Sequence, residues 1–513
     1  MDVERQSRLY RALAEKYKLE NVNQSWLCYE NAMFYCQKEP DDGQKERFCQ
    51  ECRAEMEFLE MQPGFSVART AIVILSYNHG DLTRACIESI RQNNSPESYD
   101  LVVVDNSSSD GIQQWLREQK DVCFLENQVN HGFPYGCNQG IALADDASDI
   151  LLLNNDTLVP ENAIFWLRMG LYQEELIGAT GSVSNNVVNY QQVSEQYDTV
   201  EEWMTFAHEN NVPMEYPFEN KSWLVGFAML IKRTALKAVL EREPELLQTE
   251  PYEYLDTRFS PGNFEDNDLS IRLLLAGYRL RLIKNSFIYH YGSKAFQKFS
   301  EQYLKLLEEN RRKLEEKYGM DLIPASEVES ALINMIKPVS SSFRVLEIGC
   351  KLGATLARIE SRYHNAQVLG IEKNELLARL ARQVVPVVWG DFPGDFLVEE
   401  GFDYIVLDGS LSSESSAVLR KAASCLKPGG SILATVYNAQ CIRESGGGRR
   451  KSGMTLDELT RLCNDCNLQI QAFQYRSASL TEKERSKVVE LCGSWDSPLR
   501  PLYEAEKFVF SMK

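Results

Sequence analysis

The sequence predicts an α/β protein made of two successive strand-helix series, and three observations carry that prediction. The first is the stretch DILLLNNDTLVP, 149–160, where Ile150 to Leu153 are apolar at every position and the run stops on Asn154, Asn155 and Asp156. Such a run fits a strand buried on both faces of a parallel sheet, with polar side chains just past its carboxyl end. The second is the alternation of apolar strands and amphipathic helices from residue 71 onward, and the third is the restart of that texture at FRVLEIGCKLGATLARIESRY from residue 343. Alternation of this kind gives doubly wound sheets.

Length and composition bound the rest. A chain of 513 residues is expected to hold two to four domains at roughly 150 residues each. The hydrophobic fraction of 44% suffices for real cores, and a net charge of -19 argues against nucleic acid or an anionic membrane surface as the main partner. The opening MDVERQSRLYRALAEKY is charged and helical in period, and no segment approaches the ~18 uninterrupted apolar residues of a membrane span, so no transmembrane segment and a cytoplasmic location are expected. The thirteen cysteines are odd in number and irregularly spaced, as reduced thiols would be. The pairs Cys49/Cys52 and Cys463/Cys466 lie in helical patterns at opposite ends of the chain, which does not make a zinc site.

In chain order, residues 1–66 read as a small helical segment and 67–300 as the first α/β domain. AIVILSYNHG and LVVVDNSSSDG are strands ending in polar turns, and SWLVGFAMLIKR is a further apolar strand. In NFEDNDLSIRLLLAGYRL, Leu269, Leu273 and Ala276 mark the buried side of a helix that Gly277 ends. Glu265, Asp266 and Asp268 therefore crowd its amino-terminal end. Negative residues there favour the helix dipole, yet three carboxylates within four residues repel one another and can leave one poised to accept a proton. Residues 301–340 read as a charged helical connector and 341–513 as the second domain, closed by LQIQAFQYRS and EAEKFVFSMK as an antiparallel pair, with GGGRRKSGM as a basic loop.

Six motifs in order, ILSYNHGDLTRACIESI, VVVDNSSSDG, NHGFPYGCNQGI, LLLNNDTLVP, VGFAMLIKR and NFEDNDLSIRLLLAGYRL with IYHYGS, make residues 70–296 resemble the family 2 glycosyltransferases. These are inverting enzymes of GT-A fold, and the likeness is strongest to their rhamnosyltransferase-like branch. The resemblance implies that Tyr77, Asn78, Asp105 and Asn138 contact the nucleotide. It implies that Asp156 and His290 hold Mn2+ or Mg2+, and that Asp266 is the catalytic base with Glu265 and Asp268 as acidic neighbours. Asn154 stands where the family often has aspartate, and its amide can still meet a ribose hydroxyl. The implied reaction is a single displacement from a UDP-, dTDP- or GDP-linked sugar to a glycan, lipid-linked or protein hydroxyl in bacterial glycan or glycoconjugate synthesis.

Residues 341–513 resemble a class I S-adenosylmethionine-dependent methyltransferase, a Rossmann-like fold. The resemblance implies that Glu347, Gly349 and Gly353 form the glycine turn, Glu372 binds the cofactor ribose and Asp391 lies near its adenine. Lys351 stands at the turn's usual middle glycine, so its side chain is expected to point out of the pocket and the cofactor to bind weakly. Two other readings stay open: methylation as the main activity with a glycan-holding first domain, and a scaffold with a non-catalytic second domain.

Overall fold

The computed structural model describes residues 3–40, 43–243, 249, 252–292, 301–337, 340–392, 394, 401–409, 411, 412, 414–441, 453–477, 480–492 and 494–513. The expected loop GGGRRKSGM lies outside them except for Gly453 and Met454. The chain divides into two compact units, Met1–Leu322 and Ile323–Lys513. Helix Glu301–Tyr318, expected in a connector, therefore falls within the first unit.

Unit 1 opens with helices α1 (Val3–Tyr17), α2 (Val22–Lys38) and α3 (Lys45–Glu60). The α/β series follows as β1 (Thr70–Ser76), α4 (Gly80–Asn93), β2 (Tyr99–Asp105), α5 (Ile112–Glu118), β3 (Val122–Glu126), α6 (Phe133–Leu143), β4 (Asp149–Asn154), β5 (Thr157–Leu158), α7 (Ala163–Leu171) and β6 (Ile177–Val183). It continues through α8 (Val200–Asn210), β7 (Phe218–Lys221), β8 (Ala228–Ile231), α9 (Arg233–Arg242), α10 (Glu265–Leu275), β9 (Arg279–Phe287), β10 (Tyr289–His290) and α11 (Glu301–Tyr318). Eight strands form one sheet in the order β3-β2-β1-β4-β8-β6-β9-β7, and β5 pairs with β10 in a small antiparallel ribbon. The β1 to β4 part is parallel, whereas β8 runs antiparallel to both β4 and β6, so the sheet is mixed.

Apolar patterning explains the layers. Residues Asp149 to Leu153 of β4 are all buried, as the uninterrupted run required. Helix α4 turns Leu82, Cys86, Ile87 and Ile90 inward. Helix α6 can lie against β1 because it presents glycine there: a Cβ on Gly136 would stand 2.3 Å from Leu75, and one on Gly140 2.4 Å from Val73. The amino-terminal helices belong to the same core. Tyr10 packs edge-on against Phe165 of α7, Gln24 Nε2 donates to Met169 O at 2.9 Å, and the buried Arg168 pairs with Glu30.

Unit 2 comprises α12 (Ser330–Ile333), β11 (Phe343–Ile348), α13 (Ala354–Arg362), β12 (Ala366–Glu372), α14 (Glu375–Ala381), β13 (Val387–Trp389), β14 (Phe402–Leu407), α15 (Ser416–Ser424), β15 (Leu426–Tyr437), α16 (Leu456–Asp465), β16 (Ile470–Ser477), α17 (Glu482–Cys492), α18 (Arg500–Glu504) and β17 (Ala505–Met512). Its sheet runs β13-β12-β11-β14-β15-β17-β16, parallel through β15 and closed by the antiparallel β17 and β16. Both units are thus α/β, and each sheet reverses its winding beside its first strand, between β1 and β4 and between β11 and β14. Ligands bind at such switch points, outside the carboxyl ends of the strands.

Helix α11 fastens the segment that precedes α10. The fully buried Asn310 Nδ2 reaches three backbone carbonyls, those of Phe259 at 2.8 Å, Gly262 at 3.0 Å and Asn263 at 3.2 Å. Replacing Asn310 with alanine leaves those carbonyls without this donor, and the loss is expected to be about 1–3 kcal/mol. A lower urea midpoint with an unchanged slope is the outcome to look for.

Candidate active site

At the switch point of unit 1 a cleft of about 620 Å³ lies between the carboxyl ends of β1 and β4 and the amino-terminal end of α10. That volume is in the range of small-ligand sites. Tyr77, Asn154, Asp156, Glu265, Asp266 and His290 all line it. The fold therefore gathers into one cavity residues that the sequence holds far apart. No lysine or arginine is present among its described lining residues.

The β5–β10 ribbon sets Asp156 against His290. His290 pairs with Thr157 in register, and Tyr291 N–H donates to Asp156 O at 3.0 Å. Imidazole Nδ1 lies 2.7 Å from Asn186 O, a carbonyl that can only accept, so Nδ1 carries the proton. Nε2 faces the cleft side, 3.1 Å from Asp156 Oδ1 and 3.4 Å from Asn154 Nδ2. The Phe227 ring stacks on the imidazole at 5.3 Å and fixes its plane. A carbonyl-held tautomer with its other nitrogen facing a carboxylate is how a histidine is prepared for a metal ion. No cluster of three or more His, Cys, Asp or Glu side chains suited to a metal occurs among the described residues.

The three carboxylates of α10 separate into two roles. Asp268 is fully buried and points away from the cleft, paired with Arg272 Nε at 2.8 Å and Lys317 Nζ at 2.7 Å and accepting from Tyr318 O–H at 2.8 Å. It is a structural anchor between α10 and α11. Glu265 and Asp266 remain as the cleft pair. Burial raises both: Glu265 goes well above the usual carboxylate range, with the charge of Asp266 adding to the rise, and Asp266 is raised less. Asp266 accepts from Gly226 N–H at 3.0 Å and Asn267 N–H at 2.8 Å, whereas buried Glu265 Oε2 has no hydrogen-bond partner. Backbone donors offset part of the rise on Asp266, whereas on Glu265 burial and the neighbouring charge dominate, so Glu265 is raised further than Asp266.

Three residues expected to contact the nucleotide are hydrogen-bonded within the chain. Both functions of buried Asn138 are spent on Leu255, Nδ2 on its carbonyl at 2.7 Å and Oδ1 on its N–H at 2.9 Å. Asp105, also buried, accepts from Ser108 N–H at 2.9 Å, Ser108 O–H at 2.5 Å and Gln113 at 3.0 Å, which shapes its own turn. Asn78 Oδ1 accepts from Ser109 N–H at 2.8 Å, and its backbone is left-handed. The cleft instead uses Asn106, Asn130 and Tyr303. Asn106 is a hub that accepts from His131 N–H at 3.0 Å and donates to Asn130 Oδ1 at 2.8 Å. Its position beside Asp105 in VVVDNSSSDG was the available signal. Tyr303 comes from α11, where nothing in the sequence marks it.

In unit 2, Gly349 and Gly353 adopt φ of 74° and 73° around the turn after β11. Glu372, at the end of β12, accepts from Lys351 N–H at 2.9 Å and Asn374 N–H at 2.8 Å. Asp391 is exposed, two residues past β13. Glu347 is buried, and its Oε2 has no hydrogen-bond partner. Lys351 does not point out of the pocket as expected: its Nζ lies 2.5 Å from Asp408 Oδ2 at the end of β14. The attraction of a half-buried ammonium for a buried carboxylate outweighs its exposure to water.

Two outcomes follow from these charges. Asp268→Asn removes the carboxylate that Arg272 and Lys317 share, leaving Lys317 to Asp256 and Arg272 to the Tyr254 carbonyl, and is expected to lower stability by about 3–5 kcal/mol. Asp266→Asn removes a carboxyl that burial already disfavours as an anion, so denaturant melts of that variant should match or exceed the parent. In unit 2, burial pushes Glu347 up to about 8 from its ordinary 4.5, against the opposing charge of Lys351. The folded chain then holds this proton more tightly than the unfolded one, so stability present below 4.5 is lost as pH rises through about 8. Glu347→Gln should flatten that slope in thermal melts and leave the variant more stable than the parent above the window.

The model of the family described as "Glycosyl transferase family 2" matches residues 71–240. No curated protein matches the chain. Among solved structures it is similar to GalNAc-T7 with UDP, GalNAc and Mn2+, at 14% identity and a TM-score of 0.34 over 47% of this chain and 48% of that one. It is also similar to PKMT2 of Rickettsia typhi in complex with AdoHcy, at 14% identity and 0.26 over 37% of this chain and 52% of that one. The CcbJ methyltransferase of Streptomyces caelestis matches at 16% identity and 0.27 over 36% and 88%. The chain spans about half the length of the first two. Asp266 and His290 fall beyond the family match, which covers Asp156 and, from Ala71 on, the switch-point strands β1 and β4. Over residues 71–240 this chain carries a glycosyl transferase family 2 domain.

Proposed function

We propose that unit 1 is an inverting, metal-dependent glycosyltransferase that moves a sugar from a UDP-, dTDP- or GDP-linked donor to a hydroxyl of a glycan, lipid-linked or protein acceptor. The observation that carries it is the meeting, in one cleft, of the Asp156–His290 pair with the Glu265–Asp266 pair. A role in bacterial glycan or glycoconjugate synthesis fits this chemistry. Methyl transfer by unit 2 forms no part of it.

The cleft's charges support the need for an ion. A nucleoside diphosphate is strongly anionic, and no described lysine or arginine lines the cavity to receive it. Asp156 and Nε2 of His290 would hold Mn2+ or Mg2+, which when bound supplies the missing positive charge to the leaving group. Tyr77, half-exposed at the end of β1, offers a ring face to a base. Asn154 offers an amide to a ribose hydroxyl. Asn78, Asp105 and Asn138 act behind them by holding the loops.

In the reaction Asp266 takes the proton of the acceptor hydroxyl as that oxygen bonds to the anomeric carbon. The carbon's bond to the diphosphate breaks, and the electron pair leaves with the nucleoside diphosphate. The two backbone donors hold and aim Asp266, with Glu265, the group raised further, beside it.

Nucleoside diphosphate release from a panel of sugar nucleotides, with and without manganese, tests this. Asp266→Asn should retain donor binding and lose turnover by about 100-fold or more. Asp156→Ala should abolish metal-stimulated donor hydrolysis. Full activity of the parent in excess chelator would overturn the metal role, and transfer by Asp266→Asn at the parent rate would move the base elsewhere.

A further inference from the structure

Unit 2 has the sheet and the glycine turn of a nucleoside-binding Rossmann-like domain, so the fit of S-adenosylmethionine to its residues can be judged. Three acids stand at the carboxyl ends of adjacent strands: Glu347 on β11, Glu372 on β12 and Asp408 just past β14. These are the groups a cationic nucleoside would meet. All but Glu347 are already engaged by the chain itself. Lys351 is the centre of that engagement, with its backbone N–H on Glu372 and its ammonium on Asp408.

The rest of the surroundings completes the neutralisation. Asp408 Oδ1 also accepts from Thr435 O–H at 2.6 Å and faces Lys507 Nζ at 3.5 Å. Lys507 and Arg476 both reach Glu329, at 3.1 Å and 2.5 Å. Lysines 351 and 507 hold the Asp408 carboxyl down at about 2, so the pair is ionised. Glu347, pushed up to about 8, carries no net charge at neutral pH. Lys351 and Lys507 thus answer Asp408, and Lys507 and Arg476 answer Glu329, so a sulfonium entering here would meet cations already paired to the acid it needs.

The backbone agrees. Lys351 has φ of 54°, a left-handed conformation that suits glycine and strains a residue with a Cβ. Two hydrogen bonds, one at its amide and one at its ammonium, hold it there.

We infer that Lys351 is the built-in occupant of the unit 2 site: its side chain reaches from the turn after β11 to Asp408 just past β14, and the domain takes no S-adenosylmethionine and carries out no methyl transfer. S-adenosylmethionine does not fit the residues present, because binding would require expelling an ion-paired lysine from between Glu372 and Asp408. The demethylated product, S-adenosylhomocysteine, is excluded as well, since Lys351 occupies the space whatever the charge on sulfur.

Calorimetry on the full chain tests this with S-adenosylmethionine and S-adenosylhomocysteine as separate titrants. The parent and Lys351→Arg should give no saturable heat with either ligand up to about 1 mM, whereas Lys351→Gly, which also relieves the strained backbone, should bind both at least about tenfold more tightly than that limit. Saturable binding of either ligand by the parent overturns the inference, including binding of S-adenosylhomocysteine alone, which would mean charge repulsion without occupancy. A folded Lys351→Gly chain, verified by circular dichroism, that binds neither ligand also overturns it. Should that variant fail to fold, the parent titration decides alone.

Discussion

The buried charge of Asp268 is the constraint on which the rest of unit 1 depends. A carboxylate out of water costs several kcal/mol unless cations and donors replace its hydration. Arg272, one turn further along α10, supplies one cation, and α11 supplies Lys317 and the Tyr318 hydroxyl. Helix α11 is therefore held to α10 by charge, and with it come Asn310, which fixes the Phe259–Asn263 segment, and Tyr303, which lines the cleft. The same pairing removes one of three like charges from the amino-terminal end of α10. Only the Glu265–Asp266 pair is left to compete for a proton, and burial together with the neighbouring charge raises Glu265 the further of the two.

Much of the architecture was legible because parallel sheets bury both faces of a strand, and the sequence records this as unbroken apolar runs that stop on polar residues. β4 and its terminal Asn154 and Asp156 could be read this way, and so could the closing pair of β16 and β17. The antiparallel course of β8 could not, since an apolar tetrapeptide has the same pattern in either direction. Chain-distant pairing is invisible for a similar reason. Nothing local says that His290 will lie opposite Thr157, and only the ordered motifs brought His290 and Asp156 under one expectation.

The carboxylates show the limit more sharply. Sequence spacing placed Glu265, Asp266 and Asp268 on one helix end but could not say which would find cations, because Lys317 lies far along the chain in a helix that reads only as charged. Asn138 and Asp105 illustrate the companion difficulty: an amide or a carboxylate at a strand or helix end can serve a ligand or its own loop, and the partners that decide are Leu255 in the one case and Ser108 with Gln113 in the other. Lys351 misled through its usual behaviour. A lysine at a turn is expected to reach for water, and here buried Asp408 offered a stronger partner.

The two units put acids at the same place, the carboxyl ends of strands flanking a switch point, and differ in where the counter-charge comes from. In unit 2 the chain provides it, through Lys351, Lys507 and Arg476, and the acids are satisfied without a ligand. In unit 1 the cleft keeps Asp156, the pair Glu265–Asp266 and Nε2 of His290, with no described lysine or arginine lining it. The metal ion of the proposed function is what would answer that charge, a cation first and then an anion that the cation can hold. Strand-end acids alone therefore do not mark a site, and what separates the two sheets is how much of their charge the chain itself answers.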